Sequence, residues 1–163
     1  MRTVAEIPHL VRRFVDGLRS GAPSAEDERW ARAVAGPGAD LWSAQADRDR
    51  RHTLAVARAV DGPTTPSWVL RAALLHDVGK TLAAIGVFGR ACATVLELLR
   101  IRSVPGRLGR YLDYPALGAQ LLAEAGLEAE VVRWAAEHHA PPRAWTVPVT
   151  WAERLAAADR SAR

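Results

Sequence analysis

The sequence predicts an all-α fold, a single-domain helical bundle of about seven or eight helices. Two observations carry this. Apolar residues recur at three- and four-residue spacing along most of the chain, and no alternating, strand-like run exceeds four residues. Glycine- and proline-containing breaks, "SGAPS", "GPG", "DGPTTP" and "APPRAWTVP", separate several of these periodic runs. A chain of 163 residues, 49% hydrophobic and 25% charged, is large enough for one domain with a real core.

The elements follow in order. An opening helix is expected from Thr3 to Arg19, stopped by Gly21 and Pro23 in "SGAPS". Ser24 then reads as an N-cap, with Asp27 three residues on in the acidic position of a capping box, and its helix ends at Gly36–Gly38. One long helix is expected from Asp40 to Val60, stopped by "DGPTTP". Ser67 is expected to cap the next, which runs through "WVLRAALLHDV" to Gly79. A helix from Arg90 to Arg100 and a loop "SVPGRLGR" follow. Helices from Pro115 to Ala125 and Glu128 to His139 are separated by Gly126, and "APPRAWTVP" precedes a last helix from Val149 to Asp159. The domain is read as residues 1–163, with a core of about 40–159 and N-terminal helices over 3–35 packed on it. The six tryptophans are read as packing residues, with Trp145 as the one placed to cap a pocket.

Composition excludes several classes. The single cysteine, Cys92, forms no internal disulfide, which suits a reducing compartment. No apolar run reaches the ~18 residues of a membrane span. The opening "MRTVAEIPHLVRRF" carries charges throughout and no apolar centre, unlike a secretory leader. A cytoplasmic protein is the expectation. The net charge of +4 is small and its acids and bases are interleaved, so nucleic acid is possible as a partner but not favoured. The local basic loop of Arg100, Arg102, Arg107 and Arg110, with Tyr111 available to stack, is the segment that would carry it. Lys80 is the only lysine among 22 basic residues. A compact ammonium is chemically distinct from a guanidinium fork, and this one lies three residues after Asp77.

The chemistry-bearing residues sit on apolar helix faces. At a 3.6-residue period His52 shares a face with Val56, Ala59 and Val60; Asp159 with Trp151, Leu155 and Ala158; His138 with Val131, Trp134 and Ala135. His76 and Asp77 follow Leu70, Ala73 and Leu74. One inward histidine is commonly a hydrogen-bonded core residue. Several inward imidazoles and carboxylates from four helices are not so easily satisfied, because a buried carboxylate without a partner is strongly disfavoured. A divalent cation satisfies them together, and mixed N/O ligands suit Mn, Mg, Fe, Co or Zn. Two histidines and two carboxylates leave coordination positions open, as catalytic sites do. Glu137, on the same helix as His138, is expected to be exposed.

"RHTLAVA", "ALLHDVGK", "EHH" and "AADR", in that order, resemble the HD domain superfamily of metal-dependent phosphohydrolases. The resemblance spans about Asp40 to Asp159 and places the metal ligands at His52, His76, Asp77 and Asp159. It implies an all-helical fold and hydrolysis of a phosphoester, often a nucleotide. Dinuclear members carry a histidine where this chain has Tyr114, while His138 and His139 remain. Since a phenol of pKa ~10 is a poor ligand at neutral pH, one cation is expected, with Tyr114, His138 and His139 as second-metal or substrate positions. Asp77 is expected both to hold the cation and to orient water, and Lys80 and Arg51 to contact phosphate, Lys80 as a catalytic cation. His138 or His139 is a candidate proton donor. The alternative function is a non-catalytic metal- or nucleotide-binding module with a regulatory role.

Overall fold

A computed structural model describes residues 21–83 and 114–162. The expected helices at 3–19 and 90–100, the basic loop with Tyr111, and Cys92 lie outside the described residues. Among these residues the order is α1 (Ala25–Ala35), a 3-10 turn at Gly36–Gly38, α2 (Ala39–Ser43), α3 (Asp47–Val60), α4 (Ser67–Leu75), α5 (Lys80–Ala83), α6 (Tyr114–Glu124), α7 (Ala129–Glu137), a 3-10 turn at Pro142–Ala144, and α8 (Val149–Ser161). The fold is all-helical, and no strand occurs among the described residues. Six of these helices run nine residues or more; α2 and α5 amount to about one turn each. No helix among the described residues is long and apolar enough to cross a membrane.

The cap signals at α1 behave as read. The Asp27 backbone N–H donates to Ser24 Oγ at 3.1 Å while Ser24 Oγ donates back to Asp27 Oδ2 at 2.8 Å. The helix stops at Gly36, whose φ of 57° suits a residue without a side chain. Elsewhere the boundaries move. The long helix expected over Asp40–Val60 is two helices, bent at Ala44–Ala46. No glycine or proline announces this bend. It lets Gln45 reach inward, where Nε2 donates to the Leu74 carbonyl at 3.3 Å, near the end of α4. Ser67 is the first helical residue rather than the cap; Pro66 takes the extended cap position. The helix expected to reach Gly79 ends at Leu75, so His76 and Asp77 stand just past its C-terminus.

Helix α4 organises the rest. Its sequence, SWVLRAALL, is apolar nearly all round, which suits a helix covered on most sides. It packs against α1, α2, α3, α7 and α8, and Val69, Ala72, Ala73, Leu74 and Leu75 are fully buried. Its one cation, Arg71, escapes this burial by reaching the edges: Nε donates to the Val34 carbonyl at 3.2 Å, and the guanidinium pairs with Glu128 at the start of α7. Arg50 joins α3 to α1 in a similar way, with Glu28 at 2.5 Å and Asp47 at 2.7 Å. Trp42 is fully buried and donates Nε1–H to Thr53 Oγ1 at 3.2 Å. Ala59, expected to face inward, is exposed, because the buried stripe of α3 runs through Thr53, Val56, Ala57 and Val60.

The turn after α4 is pressed onto α6 by a contact between two glycines. A Cβ on Gly79 would stand 1.9 Å from the Tyr114 carbonyl oxygen and 2.8 Å from the Gly118 nitrogen. A Cβ on Gly118 would stand 3.0 Å from the Gly79 nitrogen. Backbone therefore meets backbone, and this contact sets where Tyr114 stands relative to Asp77. Gly79→Ala forces the two segments apart and is expected to cost about 1–3 kcal/mol, as overpacking does. Chemical denaturation reads the loss; unchanged stability would show that the close approach is not required.

Candidate metal centre

Three helix C-termini converge on one spot. His76 is the residue capping α4, His138 caps α7, and Asp159 lies in the last turn of α8. Each helix end presents carbonyl groups and about half a negative charge, so their convergence favours a cation. His52 comes in from the side, on α3.

The two capping histidines are built alike. His76 Nδ1 is 2.9 Å from the Ala73 carbonyl, and His138 Nδ1 is 2.9 Å from the Ala135 carbonyl. A carbonyl only accepts, so Nδ1 carries the proton in each and Nε2 is aimed into the cluster. An outer hydrogen bond of this type fixes tautomer and ring orientation in metal-binding histidines.

The donor atoms gather around His76. His52 Nε2 lies 2.9 Å from Asp159 Oδ1, and His76 Nε2 lies 3.8 Å from the same oxygen. On the other side His76 Nε2 is 3.6 Å from Asp77 Oδ2, and His138 Nε2 is 3.8 Å from Asp77 Oδ1. Neighbouring ligands of one ion at about 2.1 Å stand about 3.0–3.4 Å apart, so these separations fit coordination with small adjustments. Two triads could each hold a metal ion: His52, His76 and Asp159, and His76, Asp77 and His138. His76 belongs to both. The four positions that the sequence resemblance assigns to the metal are divided between the two triads, His52 and Asp159 in one and Asp77 with His138 in the other, with His76 common to both.

Charge in this site is strongly coupled. Burial penalises the Asp77 carboxylate, yet Lys80 first and then His76 hold its pKa well below the usual carboxylate range. Lys80 pairs directly with Asp77 and also lies 5.1 Å from the Tyr114 ring centroid. Burial works against a charged His76, but Asp77 and Asp159 outweigh it and raise its pKa. Burial pushes the His138 pKa well down, helped by the neighbouring His76 and His139, so this imidazole is neutral. Tyr114 Oη stands 3.2 Å from His138 Nε2 and 2.5 Å from the more exposed His139 Nε2. The phenol thus fills the side of the site where a further imidazole would complete a second ligand set.

A cleft of about 250 Å³ opens beside the cluster. His76, His138, His139 and Asp159 reach it, with Trp134, Trp145 and Arg160. Lys80 and Arg51, expected to meet phosphate, do not line it; Arg51 sits beside His52 on α3, half-buried. Arg160 is the cation that sequence reasoning missed. Its place immediately after Asp159, one step round α8, was the available signal. Glu137, expected to be exposed, is half-buried and accepts from the Thr146 backbone N–H at 2.7 Å and from Thr146 Oγ1 at 2.6 Å.

No family model, curated protein or solved structure matches this chain. The geometry therefore carries the functional argument.

Two outcomes follow from the electrostatics and from Tyr114. Because His76 keeps its proton to higher pH than an ordinary histidine, an entering cation must displace it. Metal affinity is expected to fall as pH drops across about pH 8 to 5, the histidine range, with protons released on binding at neutral pH. Calorimetry in buffers of different ionisation enthalpy counts them; an affinity flat across that range contradicts the reading. Tyr114→His adds a neutral imidazole beside His138 and His139, and is expected to raise bound Mn from about one equivalent toward two. Elemental analysis decides, and two tightly held ions in the unmodified protein would refute the mononuclear reading.

Proposed function

We propose that this chain is a metal-dependent phosphohydrolase of the HD type, acting on a nucleotide or another small phosphoester. The observation that supports it best is the buried His/Asp cluster at three converging helix ends, opening on one side to a cleft. A structural ion is normally enclosed by its ligands, whereas a catalytic one keeps a position open.

His52, His76, Asp77 and Asp159 would hold a single divalent cation, with His138 alongside. When bound, the cation supplies Lewis acidity, which lowers the pKa of water and polarises a phosphoryl oxygen. The remaining steps belong to side chains. Asp77 turns Oδ2 to Lys80 and His76 and Oδ1 to His138, so Oδ1 is the oxygen left to serve the cation or to orient the attacking water. Lys80 stabilises Asp77 as a carboxylate and keeps it from taking up a proton. His138 is neutral with its proton on Nδ1, so its Nε2 accepts; it acts as ligand or hydrogen-bond acceptor and is unsuited to donate a proton. His139, more exposed and next to Tyr114 Oη, is the better placed group to meet the leaving group.

A second reading, a metal-holding module without hydrolysis, draws on Tyr114 occupying the place of a further ligand. One assay separates the two. Purified protein is tested against model phosphoesters and nucleotides with Mn, Mg, Fe, Co and Zn. Metal-dependent turnover is expected, and Asp77→Ala should reduce it by more than about 100-fold, beyond the loss from an outer-shell partner, with the helical circular dichroism retained. Turnover that survives Asp77→Ala, or that needs no metal, would overturn the proposal.

A further inference from the structure

The cleft has a second half that the hydrolytic reading does not use. Away from the His/Asp cluster its depth is formed by Val56, Trp134 and Leu155, all buried, and its partly exposed side by Trp145. Trp134 and Trp145 meet edge to face, with centroids 5.7 Å apart and planes at 64°. In such a pair at most one face of each indole is occupied by the other ring, and Trp145 is the member that solvent reaches. Arg160, exposed, stands at the mouth one residue from Asp159.

The loop that carries Trp145 is held in place. It leaves α7 after His138, makes a 3-10 turn at Pro142–Ala144, and is tied back by the two Thr146 hydrogen bonds to Glu137. The loop therefore presents the indole in a fixed position at low entropic cost, the property that makes aromatic side chains effective in recognition. Trp145 Nε1 is buried with no hydrogen-bond partner among the described residues, so packing rather than a polar contact seats the ring.

We infer that Trp145 and Arg160 form a subsite that reads the organic group of the ligand: a planar ring lies against Trp145 while Arg160 pairs with phosphoryl oxygens held at the cluster. The volume supports a ligand of this size. About 250 Å³ falls below the ~300–1,000 Å³ of drug-sized pockets and suits one ring with its phosphoryl group. The chemistry fits as well, with an aromatic wall next to cation-holding ligands and a guanidinium at the rim. The identity of the anion as phosphoryl rests on the hydrolytic reading; the ring preference does not.

Phosphonates test this without turnover, because their carbon–phosphorus bond is not hydrolysed. Phenylphosphonate, cyclohexylphosphonate and methylphosphonate are titrated by calorimetry into the full chain, with and without Mn. Phenylphosphonate is expected to bind about tenfold tighter than either of the others, the size of one aromatic stacking contact. Trp145→Ala should erase the difference and Trp145→Phe, which strands no polar partner, should keep most of it. Arg160→Ala should weaken all three ligands alike. Equal affinity of the three for the wild type, no binding of any of them, or a phenyl preference that survives Trp145→Ala overturns the subsite. A cyclohexyl ligand binding as well as the phenyl one shows a plain apolar pocket and overturns the planar-ring claim. If the ring preference appears without any Mn dependence, the subsite stands and the hydrolytic reading fails. Equal, Mn-dependent binding gives the reverse.

Discussion

Asp77 keeps its charge in the interior of the bundle, and the surrounding architecture can be understood as what that requires. A carboxylate taken out of water is costly unless paired and hydrogen-bonded. Here it sits just past the end of α4, where the negative helix terminus makes its position worse. Lys80 offsets part of this from the following turn, and His76, whose pKa is raised, adds further positive charge beside it. Those groups can be close only because Gly79 lets the turn approach α6 and because α7 and α8 end at the same place. A cluster of this kind without a cation is held by shared protons. With one, several of the lone pairs aimed into it share a partner.

The same residues explain why the site is asymmetric. His76 is shared between two donor triads, so each side could hold an ion, but the two sides are not equivalent. The His52–Asp159 side opens toward the cleft through His76 and Asp159. On the Asp77–His138 side, Asp77 pairs with Lys80 and does not line the cleft, while His138 does, with the Tyr114 hydroxyl between it and His139. A phenol there replaces a possible ligand with a hydrogen-bond donor. It keeps His138 oriented without adding coordination, which ties the expected metal count to one side chain.

Much of the site was legible in the sequence because helical periodicity reports facing. His52, His138 and Asp159 each fell on an apolar stripe, and each of them arrives in the interior. His76 and Asp77 were legible as ionisable residues ending a hydrophobic run, although the run ends at Leu75 rather than at Gly79. What was not legible depends on tertiary contact. The bend at Ala44–Ala46 has no breaker residue and exists where Gln45 bonds the Leu74 carbonyl. Ala59 was read as inward because alanine is neutral to either face, and α3 settled by its larger residues instead. The Gly79–Gly118 approach joins positions far apart in the chain, and the place of Arg160 at the cleft depends on where α8 ends relative to α7. Periodicity finds which way a residue points; it does not find what it meets.

The central claim is that His52, His76, Asp77 and Asp159 bind a divalent cation where the helix ends converge. Anomalous diffraction from crystals grown with Mn, collected on both sides of the Mn absorption edge, tests it most directly. The account predicts a peak within about 2.0–2.4 Å of His76 Nε2 and in contact with at least one oxygen of Asp77 or Asp159. A peak elsewhere on the chain, or a fully Mn-equilibrated crystal with none at His76, would contradict it.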